Sequence, residues 1–132
     1  MIASDDSLLN KIGLGTWAFG GRAYGPMEDK VALAVARRAY ALGVRQFDTA
    51  GIYANGRSEE LLGEAVGAHT DAKIFTKIGY DLSSGKPVKR YDIAFLERSL
   101  EESLGRLGRS AIDLLLLHNP PTEILEKPAV FQ

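Results

Sequence analysis

The 132 residues carry a formal net charge of −1, with 45% apolar and 25% charged residues, the make-up of a soluble globular domain that can bury a real core. Acidic and basic residues are interleaved, so no concentrated positive face is available for nucleic acid or an anionic membrane, and neither partner is expected. There is no cysteine, which excludes disulfides, thiolate metal sites and cysteine nucleophiles together, and two histidines alone make a metal site improbable. Met1 to Asn10 shows no basic segment followed by an apolar run, and the strongest apolar stretch, Leu114 to Leu117, is far too short to span a bilayer; a cytoplasmic protein is the expectation.

After a polar, unpatterned start, Ile12-Gly13-Leu14-Gly15-Thr16 alternates as a first strand. Gly20, Gly21, Gly25 and Pro26 then break the chain into a loop. Glu28-Asp29 opens a helix whose acidic residues sit at its positive end. Val31, Ala34, Val35, Arg38, Ala39 and Leu42 recur at helical spacing and predict its buried stripe, with the Arg38 stem snorkelling, and Gly43 ends it. Val44 to Asp48 reads as a second strand. It leads through Asn55-Gly56 to a helix that Ser58 is placed to cap, with Glu59 and Glu60 in its first turn and Leu61, Leu62, Ala65 and Val66 on its buried face.

Lys73 to Lys77 is the third strand. Ile93, Leu96, Leu100, Leu104 and Leu107 mark a third helix, entered near Asp92 and closed by Gly105 to Gly108. Ile112 to Leu117 is the fourth strand, and its unbroken apolar run predicts burial on both faces, as in a parallel sheet covered by helices. Pro120-Pro121 stops it, and Thr122 to Gln132 reads as a connection and the beginning of a helix. The strand ends fall about 30 to 40 residues apart, the repeat of a strand-helix-strand unit, with no hairpin signal between them. An α/β fold with parallel strands is predicted.

Asp48, Tyr53, Lys77 and His118 all fall at or just after a strand's C-terminal end, the edge at which parallel α/β folds bind ligands. Taken singly, each has an ordinary explanation: Asp48 and Lys77 as an ion pair, Tyr53 as a loop aromatic, His118 as the cap of a strand. Together they make a proton-transfer device. A phenol, with an ordinary pKa near ~10, donates poorly at neutral pH unless a cation stabilises the phenolate. Lys77 can supply that cation, Asp48 can hold the ammonium, and His118 can hydrogen-bond the oxygen that receives the proton. Trp17, Phe19 and Tyr24, after the first strand, would line a substrate pocket or simply pack their loop. Asn119 either meets substrate or cofactor or is an ordinary polar strand end. His69 reads as a solvated residue at a helix C-terminus.

These residues stand in motifs that resemble the aldo-keto reductase family over nearly the whole chain, from about Ile12 to Phe131. Gly15-Thr16-Trp17 with Phe19-Gly20-Gly21 resembles the first-strand signature. Phe47-Asp48-Thr49-Ala50, followed by Tyr53, Gly56, Ser58-Glu59, Leu62 and Gly63, resembles the second, and Phe75-Thr76-Lys77 the third. Ser99-Leu100 through Ser103-Leu104 with Arg106-Leu107, and Ile112-Asp113 through Leu117-His118, complete the likeness.

The resemblance implies a parallel (β/α) barrel of the TIM type, whose usual ~250 residues are about twice those here, so residues 1–132 would be the N-terminal half, ending at the start of the fourth helix. It also implies NADP(H)-dependent reduction of aldehydes or ketones, sugars among them, with Asp48, Tyr53, Lys77 and His118 as the catalytic set and Tyr53 as general acid. Gly15, Thr16, Trp17, Asp48 and Tyr53 would touch the nicotinamide end of the cofactor, and Trp17, Phe19, Tyr24, His118 and Asn119 a small carbonyl substrate. The competing expectation is a shortened, catalytically incompetent chain that acts only as an association module or remnant. A half barrel would in either case tend to self-associate.

Overall fold

The computed structural model describes Leu9, residues 11–21 and residues 23–127; the unpatterned start, Leu9 and Lys11 aside, and the segment beyond Lys127 lie outside the described residues. In chain order the elements are β1 (Gly13–Gly15), α1 (Asp29–Ala41), β2 (Gln46–Asp48), a short 3-10 turn (Tyr53–Gly56), α2 (Arg57–Val66) and β3 (Lys73–Ile78). The two-residue strands β4 (Tyr80–Asp81) and β5 (Val88–Lys89) follow, then α3 (Ile93–Leu107), β6 (Leu114–Leu117) and the single-turn α4 (Thr122–Leu125). Strands β1, β2, β3 and β6 form one parallel sheet in that spatial order, which is the arc of a (β/α) barrel. No helix among the described residues is long and apolar enough to cross a membrane.

The two-residue period of the strands sorts their side chains between two faces. Leu14, Phe47 and Ile74 pack toward the helices, in a core completed by Phe19, Ala32, Ala36, Leu61, Leu62, Ala65, Val66 and Leu107. The alternate residues Gly15, Asp48 and Lys77 therefore point to the opposite face. Register places Gly15 beside Asp48, and Asp48 beside Phe75, two residues short of Lys77. A second, smaller cluster of Ile78, Tyr91, Phe95 and Leu96 sits where α3 crosses the end of β3.

Several expectations need correction. In α1 the buried positions are Ala32 and Ala36, whereas Val31, Val35 and Leu42 are 43%, 40% and 53% exposed. The helix turns its smallest side chains to the core, which lets its backbone approach its neighbours closely. A small antiparallel hairpin, β4 with β5, interrupts the series after β3. Its strands are too short to announce themselves by alternation. Helix α2 is not capped by Ser58: Gly56, left-handed at φ 87°, is the N-cap, and Ser58 lies buried inside the helix. Strand β6 is not buried on both faces, since Leu114, Leu115 and Leu116 are 44%, 38% and 38% exposed. It is one of the two edge strands among the described residues, so its apolar run has no neighbour on one side.

Helix α3 matches its predicted signals closely. Asp92 caps it by accepting a hydrogen bond from the Phe95 amide, and Gly108 ends it in the left-handed conformation, with the Arg109 amide bonded to the Leu104 carbonyl.

Candidate active site

Each of the four candidate residues is set by its strand. Asp48 is the last residue of β2 and Lys77 the penultimate residue of β3, both on the face away from the helices. Lys77 Nζ lies 2.7 Å from both Asp48 oxygens, donates to the Thr49 carbonyl at 2.9 Å and stands 3.3 Å from the Tyr53 hydroxyl. Three ammonium protons thus serve the carboxylate, one backbone oxygen and the phenol, with no donor left over. Lys77 is only 17% exposed and Asp48 41%. The pair is half shielded, with the carboxylate on the open side.

Tyr53 opens the turn after β2. The next three residues, Ala54, Asn55 and Gly56, are all left-handed, at φ 49°, 55° and 87°. For alanine that conformation costs of order 1 kcal/mol or more, so the turn persists only because its surroundings hold it. The Gly51 amide bonds the Lys77 carbonyl at 3.3 Å, which hangs the start of this loop on β3.

His118 follows β6 and its amide bonds the Ile78 carbonyl at 2.8 Å. Its ring meets Tyr53 and Tyr80 edge-on, with centroids 5.9 and 5.2 Å apart. Tyr91 fixes the segment by donating to the carbonyls of His118, at 2.8 Å, and Asn119, at 3.2 Å. Burial, and secondarily the Lys77 ammonium, hold the His118 imidazole below its usual pKa, with Asp48 opposing. The ring is therefore neutral near pH 7. Its Nδ1 is buried without a hydrogen-bond partner among the described residues.

The structure thus brings Asp48, Tyr53, Lys77 and His118 together. It treats the other candidates unequally. Gly15 ends β1 beside Asp48, and nothing lies within 4 Å of where a Cβ would be. Thr16 is fully buried, its hydroxyl committed to the Asp48 carbonyl and to Ser58 Oγ, so its side chain is not offered to a ligand. Phe19 is 3% exposed and belongs to the core rather than to a pocket wall. Trp17 and Tyr24 are 54% and 77% exposed and pack edge to face at 5.2 Å. Asn119 is left-handed at φ 50°. A cleft of about 600 Å³ opens beside the group, walled in part by Asn55, Lys77, Tyr80, Arg98 and His118; Trp17 and Tyr24 do not line it.

Thr49, Tyr80 and Tyr91 escaped sequence reasoning. Thr49 contributes a backbone oxygen, which no side-chain pattern reveals. Tyr80 lies in the unannounced hairpin, and Tyr91, just before the Asp92 cap, reads as part of a helix entry.

A model of the aldo/keto reductase family matches residues 11–125. The chain is 34% identical over 114 residues to aldo-keto reductase YhdN of Bacillus subtilis, a match that covers 84% of this chain and 34% of the relative. The holo form of an aldo-keto reductase from Bacillus halodurans superposes with a TM-score of 0.76 at 25% identity, covering 85% of this chain and 37% of that one. An aldo/keto reductase from Klebsiella pneumoniae, solved with NADP and acetate, superposes with a TM-score of 0.63 at 34% identity, covering 80% and 34%. The chain spans about a third of the length of the curated relatives it matches. With the family model matched over most of its length and its fold shared with solved members, the chain belongs to the aldo/keto reductase family.

Proposed function

We propose that the chain carries the catalytic half of an NADP(H)-dependent oxidoreductase that reduces aldehydes or ketones, sugars among them, to alcohols. Residues 1–132 would form the N-terminal half of the barrel. The observation that carries this reading is Lys77 Nζ held at 2.7 Å by Asp48 while it reaches Tyr53 Oη at 3.3 Å, beside a neutral His118.

The nicotinamide end of the cofactor fits the residues present. Gly15 leaves open space at the sheet edge next to Asp48, and the phenol and imidazole form a donor pair suited to a carbonyl oxygen, with the ammonium behind the phenol. Gly15, Trp17, Asp48 and Tyr53 would hold it, with Thr16 contributing through its backbone at most. When bound, NADPH supplies the hydride. His118 orients the substrate oxygen, and Tyr53 gives that oxygen its proton. The Lys77 ammonium favours the phenolate left behind, and Asp48 holds the ammonium in place. His118 and Asn119, with Trp17 and Tyr24 from the exposed loop after β1, are the proposed substrate contacts.

Tyr53→Phe tests the reading, since it removes the proton donor and little else. Carbonyl reduction should fall by about 10²–10⁴-fold with NADPH affinity nearly unchanged. Wild-type turnover in this variant would reject Tyr53 as the acid. Lys77→Met should also lower kcat, because the phenolate loses its cation.

The exposed leucines of β6 support one further property, self-association of the 132-residue chain through that edge.

A further inference from the structure

Glu59 is fully buried, yet it lies on none of the faces that meet the proposed substrate. Its Oε1 accepts from Thr76 Oγ1 at 2.5 Å and its Oε2 from Arg106 Nε at 2.7 Å. A buried carboxylate so paired is weak evidence for stability, because desolvation offsets much of the attraction, so another role must be weighed. Its partners suggest one. Thr76 immediately precedes Lys77 in β3. Arg106 projects from α3 beneath the loop that bears Tyr53, touching both glycines that bracket it. A Cβ at Gly56 would stand 2.7 Å from Arg106 Cδ, and one at Gly51 would stand 3.3 Å from Arg106 Nη2. Arg106 Nη2 also donates to Ser103 Oγ at 3.3 Å, which steadies the guanidinium from its own helix.

We infer that the Glu59–Arg106 pair is a positioning device that props the left-handed Tyr53 turn from below and ties it, through Thr76, to the strand carrying Lys77. This rests on the reading of Tyr53 as the proton donor. Three successive left-handed residues carry a conformational cost that the loop's own backbone bonds only partly offset: Gly51 to the Lys77 carbonyl, Tyr53 to the Ala50 carbonyl, Asn55 to the Ile52 carbonyl, and the Arg57 amide to the Tyr53 and Ala54 carbonyls. The guanidinium fills the space below the arch. One carboxylate then sets the height of the phenol relative to the ammonium. Neither Glu59 nor Arg106 touches the reacting atoms.

The test uses NMR and amide exchange on the purified protein, so its result is independent of turnover. The double variant Glu59→Gln with Arg106→Met removes the pair as a unit, leaving no lone buried charge. It should accelerate exchange at Gly51, Tyr53 and Asn55 by about tenfold or more. It should also erase the nuclear Overhauser contacts between the Tyr53 and His118 rings. The β3 amides and the contacts of the stacked Tyr40–His69 pair, whose centroids are 4.1 Å apart, should remain. Arg106→Lys keeps the charge but lacks the planar fork. It should restore overall stability without restoring protection of the turn. Unchanged exchange at the turn in both variants would overturn the proposal. So would acceleration spread equally over β3 and the Tyr40–His69 region, or loss of the fold in both, since either outcome makes the pair a general stabiliser.

Discussion

His118 shows how a single side chain couples the site to solution conditions. Its imidazole is held below the usual value near 6.5 by burial and then by Lys77, so the folded chain resists its protonation more than the unfolded chain does. Between the depressed folded value and about 6.5 the unfolded state binds the extra proton, and stability falls as pH falls through that window. Above it the residue contributes no pH dependence. The carboxylates Asp71, Asp81, Asp92 and Asp113, all lowered from 3.8, act only at more acidic pH. Thermal melts should therefore show Tm declining as pH falls below about 6.5, and His118→Asn should flatten that decline. An unchanged slope would show that His118 carries no such cost. That Asp48, Tyr53, Lys77 and His118 lie close together was legible in the sequence because each falls at or just after a strand's C-terminal end. The placement of Phe19 and Thr16 was not, because residue type and position cannot tell which side of a loop faces the core: Phe19 turns inward, and the Thr16 hydroxyl is taken by Asp48 and Ser58.

Among the elements, the packing of α2 against the end of α3 sets how the helical layer closes over the sheet. Gly63 sits at the contact, where a Cβ would lie 2.6 Å from the Arg106 carbonyl oxygen and 2.8 Å from the Leu107 backbone. The opposing atoms are backbone and cannot rotate away. Gly63→Ala should thus destabilise the chain by about 1–3 kcal/mol, despite the better helix propensity of alanine. Urea denaturation measures this directly, and a stabilised variant would mean that the helices separate more freely than their packing indicates. The helices and β3 were readable from periodicity and capping, with Asp92 and Gly108 marking both ends of α3. The outward stripe of α1 was not. Val31, Val35 and Leu42 satisfy the same 3.6-residue period as Ala32 and Ala36, and periodicity alone does not say which of two adjacent stripes faces inward.

At the scale of the whole chain, the controlling feature is the sheet edge at β6. Its three leucines are between 38% and 44% exposed, and among the described residues no strand pairs with its outer side. An exposed apolar edge with free backbone donors and acceptors is a template for another strand, and nothing charged interrupts Leu114 to Leu117. Formal net charge is −1, so repulsion between copies is weak. Two copies meeting at β6 would pair backbone groups and cover leucines on both sides, the isologous arrangement that favours a dimer. Sedimentation of the purified 132-residue chain at micromolar concentration should therefore give a species heavier than 14.3 kDa. Leu115→Lys, which places a charge on the edge without touching Lys77 or His118, should shift the distribution toward monomer. A stable monomer of the unaltered chain would show that the leucine edge is too short to drive association. A Leu115→Lys variant that sediments like wild type would move the contact to another surface, with the exposed Val31 and Val35 of α1 and Leu42 just beyond it next in line.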